Sequence, residues 1–170
     1  MSNDYQANID WREVDPEMVR TIMSQGENYL KSQLDISLAA DRRAITLGGF
    51  FVTVVIATAG AAIASYKNVP LLLAGLSTSA CLLYATWCCF WSARPIPFYS
   101  PGNQPKEWWP VRKEPLAQVI GGETENYQKW IEHNERCLEE NAKALELGWR
   151  FAETAPVVGL VVWAITVAFI

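Results

Sequence analysis

Two tryptophans and three basic residues near the middle of the chain are the side chains best suited to bind a charged ligand. Trp108 and Trp109 lie close in sequence to Lys106, Arg112 and Lys113. Indole rings stack on bases while Lys and Arg neutralise phosphate, so this set predicts a site for a nucleotide or a single-stranded nucleic acid. The alternative is an interfacial anchor, in which Trp lies at lipid headgroups and Lys or Arg meets anionic lipid. We favour the anchor.

Residues that would support catalysis or metal binding are sparse. The chain has one histidine and four cysteines, and their spacing does not match a zinc site. There is no glycine-rich phosphate loop, and no nucleophile lies next to His133. Cys81, Cys88 and Cys89 fall within one apolar segment, where we expect reduced side chains that pack. We therefore expect no enzymatic activity and no cofactor.

Charge is distributed unevenly along the 170 residues, although the totals of 14 basic and 18 acidic residues are ordinary. Residues 44–93 carry one charge, on Lys67, and residues 154–170 carry none. Residues 44–65 and 70–91 each exceed the ~20 residues that a helix needs to cross ~30 Å of hydrocarbon. Residues 154–170 are at the lower limit for a span, with a partly immersed segment as the alternative. The pattern predicts a membrane protein and argues against a soluble enzyme or a basic nucleic-acid-coating protein.

The basic residues predict an orientation. With the connector between the first two spans outside, Lys67 is external and the rest of the 14 basic residues are internal. Arg42, Arg43 and Arg94 then flank the inner ends of two spans. Because Lys and Arg concentrate on the cytoplasmic side, we expect a cytoplasmic amino terminus and, after three crossings, an external carboxyl terminus. We expect no signal peptide, since residues 1–41 are polar.

Two long cytoplasmic helices are also expected. The sequence Asp15-Pro16-Glu17 has the features of a helix start, and one helix is predicted from Pro16 to Ser65. A second is predicted after Gly121-Gly122, from Glu123 to Ala155. Its apolar seam has heptad spacing and consists of Tyr127, Ile131, Asn134, Leu138, Asn141, Leu145, Gly148 and Ala152. We expect the two helices to pack together as a stalk.

Asn134 and Asn141 are polar residues on this seam. A polar seam residue fixes register and partner number at some cost in stability, which is the interpretation we favour. The alternative is that both belong to a switch between two packings of the stalk.

Proline gives two further predictions. Residues 94–115 hold six of the nine prolines, which favours an extended, semi-rigid linker without helix. Near the last span, Thr154 is predicted to cap a new helix with Pro156 in its first turn. A kink at Pro156 is the alternative.

Small residues recur at steps of three and four on one face of each of the first two spans. In the first span they are Thr46, Gly49, Thr53, Ala57, Gly60 and Ala64, and in the second Ala74, Ser77, Cys81, Ala85, Cys88 and Ser92. Such spacing lets helix backbones approach closely, so we expect the two stripes to pack together in the hairpin. The alternative is that the Thr46/Thr53 face lines a narrow pore. That alternative requires a homo-oligomer, because three helices of one chain cannot enclose a pore.

The fold class expected is therefore an all-α membrane protein: a two-span hairpin and a C-terminal third span, with long cytoplasmic helices forming a stalk. Its segments are a cytoplasmic N-terminal helix (1–43), a transmembrane hairpin (44–93), a proline-rich cytoplasmic linker (94–116), a heptad helix (117–153) and a third transmembrane segment (154–170).

This layout, together with several short sequences, resembles a known family. The first helix carries Tyr29-Leu30-x-x-Gln33-Leu34 and Ala39-Ala40-Asp41-Arg42-Arg43-Ala44. The later helix carries Tyr127, Asn134, Leu138, Asn141 and Leu145. Around a tight two-span hairpin, this resembles the small SLATT-like membrane effectors of bacterial anti-phage systems, including those of Pycsar, CBASS and Hailong type. The third span is not part of the minimal two-span pattern.

The resemblance implies a homo-oligomer in the bacterial inner membrane. It implies that the assembly permeabilises or depolarises the membrane when triggered by a nucleotide or oligonucleotide from a partner nucleotidyltransferase or cyclase. The leading hypothesis is thus a non-enzymatic ion channel of an abortive-infection system. The alternatives are a membrane scaffold that recruits a cytoplasmic partner and a holin-like pore former.

Overall fold

The computed structural model describes residues 9–169, and within that range the chain is helical without strands. Four helices follow one another: α1 (Pro16–Ala64), α2 (Val69–Ser92), α3 (Pro105–Trp108) and α4 (Leu116–Phe169). The all-helical class predicted from the sequence is confirmed. Helices α1, α2 and α4 are each long and apolar enough to cross a membrane.

The start of α1 and the α1–α2 connector follow the sequence closely. Asp15 Oδ1 accepts a hydrogen bond from Glu17 N at 3.0 Å, and Pro16 occupies the first helical position, where its missing N–H is not needed. At the connector, Asn68 Oδ1 accepts from Leu71 N at 3.3 Å and so caps α2. The single helix predicted from Pro16 to Ser65 is confirmed to within one residue.

Helix α4 is longer than predicted at both ends. It begins at Leu116, before the two glycines expected to precede it, and it continues through Pro156 to Phe169. The predicted cap at Thr154 is wrong, because Thr154 Oγ1 donates to Arg150 O at 3.0 Å from within a continuous helix. A proline removes one backbone hydrogen bond, and the turns on either side keep theirs.

The linker also differs from its prediction. We expected no helix between α2 and α4, but Pro105–Trp108 forms the single turn α3. Pro105 stands at its first position, the one place in a helix that favours proline. Gly102 has φ +95°, a left-handed conformation suited to glycine, and it redirects the chain just before this turn.

The chain divides into two compact units. Among the described residues, unit 1 contains 9–36 and 97–136, and unit 2 contains 37–96 and 137–169. In unit 1, Trp11, Val19 and Ile120 form a buried cluster, with Trp11 against Gly121. Any Cβ at Gly121 would collide with the indole ring, which explains a glycine within this helix.

The core of unit 2 lies between the apolar parts of α1, α2 and α4. Its buried members are Phe51, Val55, Leu82, Ala85, Cys89 and Ala155. Most other large apolar side chains of this unit are exposed, for example Ile56 at 68% and Leu160 at 67%. Such a surface is stable in hydrocarbon and unstable in water.

Candidate functional site

Helices α1 and α2 pack closely in unit 2 along a face that differs from the predicted stripe. Gly48 faces Phe90, and Thr58 Oγ1 lies 2.8 Å from Ser79 Oγ. A Cβ added at Gly75 would lie 2.5 Å from Ala62 Cβ, so glycine is needed there. The hairpin thus uses small residues and one hydroxyl pair for close approach, as expected for helices in lipid.

The small stripe of α2 packs largely against α4, and not against the stripe of α1 as predicted. Ala85 is fully buried, and a Cβ added at Gly148 would lie 2.9 Å from Cys88 Cβ and 3.0 Å from Ala85 O. Ser92 Oγ donates to the backbone carbonyl of Asn141 at 2.8 Å. Gly148, a member of the heptad seam, therefore serves close packing inside one chain.

The small stripe of α1 is exposed, which corrects the prediction that it packs within the hairpin. Its predicted pore-lining members are all exposed, namely Thr46, Gly49, Thr53, Ala57 and Gly60. A Cβ added at either glycine would meet no atom within 4 Å. The sequence could not choose between this face and its neighbour, because both carry small residues.

The two threonines of this stripe bond to their own helix. Thr46 Oγ1 donates to Arg42 O at 2.8 Å, and Thr53 Oγ1 donates to Gly49 O at 3.1 Å. Each hydroxyl proton is thereby satisfied, while the oxygen lone pairs remain able to accept. The five positions are thus small and weakly polar, with the exposed Phe50 one turn from Thr46.

The three arginines near the ends of the apolar segments have different surroundings. Arg42 and Arg43 are exposed on α1. Arg94 is partly covered: its guanidinium lies 4.1 Å from the ring centroid of Trp91 and 3.9 Å from a carboxylate oxygen of Glu140. A cation stacked on an indole at the end of an apolar helix suits the headgroup region of a bilayer.

In unit 1, Asn134 is fully buried and binds the proline-rich linker. Its Oδ1 accepts from Tyr99 N at 3.0 Å, and its Nδ2 donates to Tyr99 O at 2.9 Å. The same Nδ2 donates to Gln33 Oε1 at 3.2 Å, and Gln33 Nε2 donates to Ile131 O at 3.2 Å. Asn134 thus joins the linker to α1 and α4 within this unit, so its amide has partners inside one chain.

Asn141 differs from Asn134, although both were predicted as register or switch residues. It is half-buried in unit 2, and its side chain has no hydrogen bond within residues 9–169, while its backbone carbonyl accepts one from Ser92. Heptad spacing did not distinguish the two residues. Gln33, the buried side-chain partner of Asn134, was missed as a polar contact, and no sequence signal identified it.

Aromatic residues of α4 hold the same linker segment. Tyr99 stacks on Trp130 with a ring separation of 5.5 Å, and it meets His133 edge-on at 5.1 Å. Gly102 N donates to Tyr127 Oη at 3.2 Å. The linker therefore contacts α4 through aromatic rings and backbone hydrogen bonds spaced along one face of the helix.

Two tyrosines of unit 1 lie next to carboxylates. Burial raises the pKa of Tyr127 above its usual value, the Gly102 hydrogen bond lowers it, and the charges of Glu27 and Glu123 raise it further. Tyr29 Oη lies 3.0 Å from Glu135 Oε1, and this hydrogen bond raises the pKa of the Tyr29 phenol. Both phenols are therefore neutral donors at physiological pH.

The predicted Trp and basic cluster does not converge. Trp108 is half-buried, whereas Trp109 is 67% exposed. Lys106 and Lys113 are also exposed. Arg112 is exposed and its Nη1 donates to Trp109 O at 2.6 Å. These side chains form an open surface, and its exposed cations remain accessible to a phosphate or a lipid headgroup.

No protein-family model, curated protein or solved structure matches this chain.

Proposed function

We propose that this protein is a non-enzymatic, homo-oligomeric effector of the bacterial inner membrane that conducts ions on a nucleotide or oligonucleotide signal. In this proposal the three apolar helices cross the membrane with the amino terminus in the cytoplasm. Opening depolarises the cell and ends a phage infection by killing the host. The resemblance to SLATT-like effectors supplies the biological setting.

The observation that carries the proposal is the exposed face of α1 defined by Thr46, Gly49, Thr53, Ala57 and Gly60. Gly48 and Gly75 of the hairpin are packed, whereas these five residues are exposed and a Cβ added at Gly49 or Gly60 meets no atom within 4 Å. A weakly polar stripe of small residues within a charge-free span suits a narrow conduit between copies, where hydroxyl oxygens accept from water or coordinate a cation.

A second exposed face on α1 supports self-assembly. Met18, Ile22, Tyr29 and Ile36 lie at steps of four or seven residues, on one side of the helix, and are 38–55% exposed. Their neighbours Leu30 and Gln33 are buried in unit 1, so the exposed residues form a separate apolar stripe. Heptad-spaced apolar residues on an exposed helix are typical of helix association between chains.

The signal is proposed to bind the exposed cationic surface of the linker. Lys106, Arg112 and Lys113 offer the charge, and Trp109 offers an exposed indole face. Phosphate binding by Lys and Arg next to an aromatic face is suited to a nucleotide or oligonucleotide. Changing the three basic residues to Gln should abolish ligand-induced opening while the protein still inserts into the membrane.

The decisive experiment is planar-bilayer recording on the purified full chain, with cyclic nucleotides and short oligonucleotides added to each side. Gly49→Leu and Gly60→Leu are the informative variants, because a side chain at either position meets nothing within the protomer. Both should fold as the parent does and lose conductance. Ile56→Leu, an exposed position beside the stripe, should conduct like the parent.

Two results would reject the channel. One is a correctly folded oligomer that conducts under none of the ligands. The other is conductance that survives both glycine variants, since the proposed conduit would then be elsewhere.

A second candidate, a membrane scaffold, is favoured by the same apolar stripe on α1, because a cytoplasmic partner protein could cover it. Native mass spectrometry of the detergent-extracted complex separates the two. A channel should give a homo-oligomer of this chain, and a scaffold should give one copy with a second polypeptide. Ile22→Glu, on the stripe, should disperse whichever assembly exists, while Glu17→Gln should leave it intact.

A further inference from the structure

Unit 1 contains a cavity of about 430 Å³ beside the first turns of α4. Its walls include three carboxylates, Glu107, Glu114 and Glu123, together with Trp108 and Asn126. This volume lies within the ~300–1,000 Å³ that small-molecule sites occupy. Lys106, Arg112 and Lys113 do not line the cavity, so its walls do not include the basic residues proposed to bind the signal.

Glu123 is the unusual member of the wall. Its side chain is only 8% exposed, and its Oε1 is buried without a hydrogen-bond partner within residues 9–169. A buried carboxylate oxygen without a donor is costly, because the protein has removed its water and supplied nothing in return. A cation next to this carboxylate would offset the penalty through its charge.

The charges around the cavity favour a cation as its ligand. Across the described part of the chain, no ion pair joins Glu107, Glu114 or Glu123 to a Lys or Arg. Lys106 and Arg112 are exposed and do not line the cavity. The negative charge of Glu123 also acts on the buried Tyr127, because it contributes to the raised pKa of that phenol. A phosphate would be repelled here.

The cation is better matched by an amine than by a metal. Over residues 9–169 no three His, Cys, Asp or Glu side chains converge as metal ligands. The carboxylates instead come from separate elements, namely α3, the turn after it and α4. Trp108, half-buried in the wall, offers an indole face suited to an ammonium group or its carbon chain.

We propose that this cavity binds a linear di- or polyamine. One ammonium pairs with the Glu123 carboxylate, a second pairs with Glu107 or Glu114, and the carbon chain packs on Trp108. This site does not depend on the proposed channel function. It would let the chain respond to cellular amines.

The test is isothermal titration calorimetry of the full chain in nanodiscs of neutral lipid, with spermidine as the probe. Neutral lipid is needed because anionic headgroups bind amines themselves. We expect saturable binding at one site per chain, with Kd raised at least ~10-fold by Glu123→Gln, since a charge-assisted bond is lost. Glu114→Gln, at an exposed position that folding does not require, should also weaken binding. Glu132→Gln, an equal charge change on the exposed side of α4, should leave Kd within about twofold.

Competitors identify the ligand class. Propylamine, which has a single ammonium, should bind more weakly than spermidine. MgCl₂ at equal charge should not displace spermidine. The proposal is overturned if spermidine shows no saturable binding, or if Glu123→Gln and Glu114→Gln both bind as the parent does. It is also overturned if Glu132→Gln weakens binding as much as they do, or if MgCl₂ displaces spermidine at equal charge. Because the readout is binding heat, its failure is distinct from an absence of conductance.

Discussion

Replacing Asn134 by alanine should release the linker from unit 1. The change removes all three hydrogen bonds of a fully buried amide, two to the backbone of Tyr99 and one to Gln33. Each is worth about 1 kcal/mol net. Tyr99 is 42% exposed, so its backbone can turn to water, but Gln33 is 4% exposed and its Oε1 would be left without a donor. We expect the free energy that holds the linker to unit 1 to fall by about 3 kcal/mol in total.

Hydrogen–deuterium exchange at the backbone amide of Tyr99 measures this loss directly. The amide of Tyr99 is protected by Asn134 itself, so a loss of ~3 kcal/mol should speed its exchange roughly 100-fold. Asn141→Ala is the matched control, since within residues 9–169 only the backbone of Asn141 is hydrogen-bonded. It should change Tyr99 exchange less than about twofold. Equal acceleration in both variants, or none in Asn134→Ala, would refute the assignment of Asn134 as the residue that holds the linker.

Three further predictions concern glycine packing and one phenol. Gly75→Leu should destabilise unit 2 by about 1–3 kcal/mol through overpacking, measured by denaturant unfolding, whereas Gly49→Leu should change it by less than about 0.5 kcal/mol. Gly121→Ala should lower the Tm of unit 1 by forcing Trp11 aside, while Gly122→Ala should raise it slightly, because alanine favours helix and meets no atom there. The raised pKa of Tyr127 means that the folded state holds this proton more tightly than the unfolded chain. The stabilisation that the protonated Tyr127 phenol provides is therefore complete below the unfolded pKa of about 10 and is lost as pH rises through the folded pKa. In thermal melts at alkaline pH, the stability of the parent relative to Tyr127→Phe should therefore fall.

The long helices could be predicted from sequence because their signals are local. A proline after Asp15 starts α1, and Asn68 caps α2 two residues before Pro70. Long charge-free stretches then indicate which helices are apolar enough to cross a membrane, without knowledge of any partner. Local signals were misleading near Pro156, where a residue that typically starts a helix lies inside one. The reason is that flanking apolar turns outweigh one missing backbone bond in a long helix.

The packing faces could not be predicted in the same way, since they depend on a second element. On α1, the face of Gly48 and Thr58 and the face of Gly49 and Thr53 have equally small residues. Only the position of α2, with Phe90 and the Ser79 hydroxyl, decides which face is covered. The cavity near Glu123 was missed for a related reason, because its acids lie on separate elements whose relative positions depend on packing.

The two asparagines of the heptad seam show what a buried polar residue contributes here. A seam asparagine that paired across a homo-oligomer would need its amide free within the chain, and the Asn134 amide has partners on both its oxygen and its nitrogen. Asn134 instead binds the linker. Pro97 and Pro101 of the linker lack the backbone N–H that regular secondary structure needs. Fixing this irregular segment to α4 sets where α3 lies, and α3 carries Trp108 at the cavity and Lys106 at the surface. Loosening Asn134 should therefore weaken spermidine binding and ligand-induced opening together, whereas Asn141→Ala should change neither.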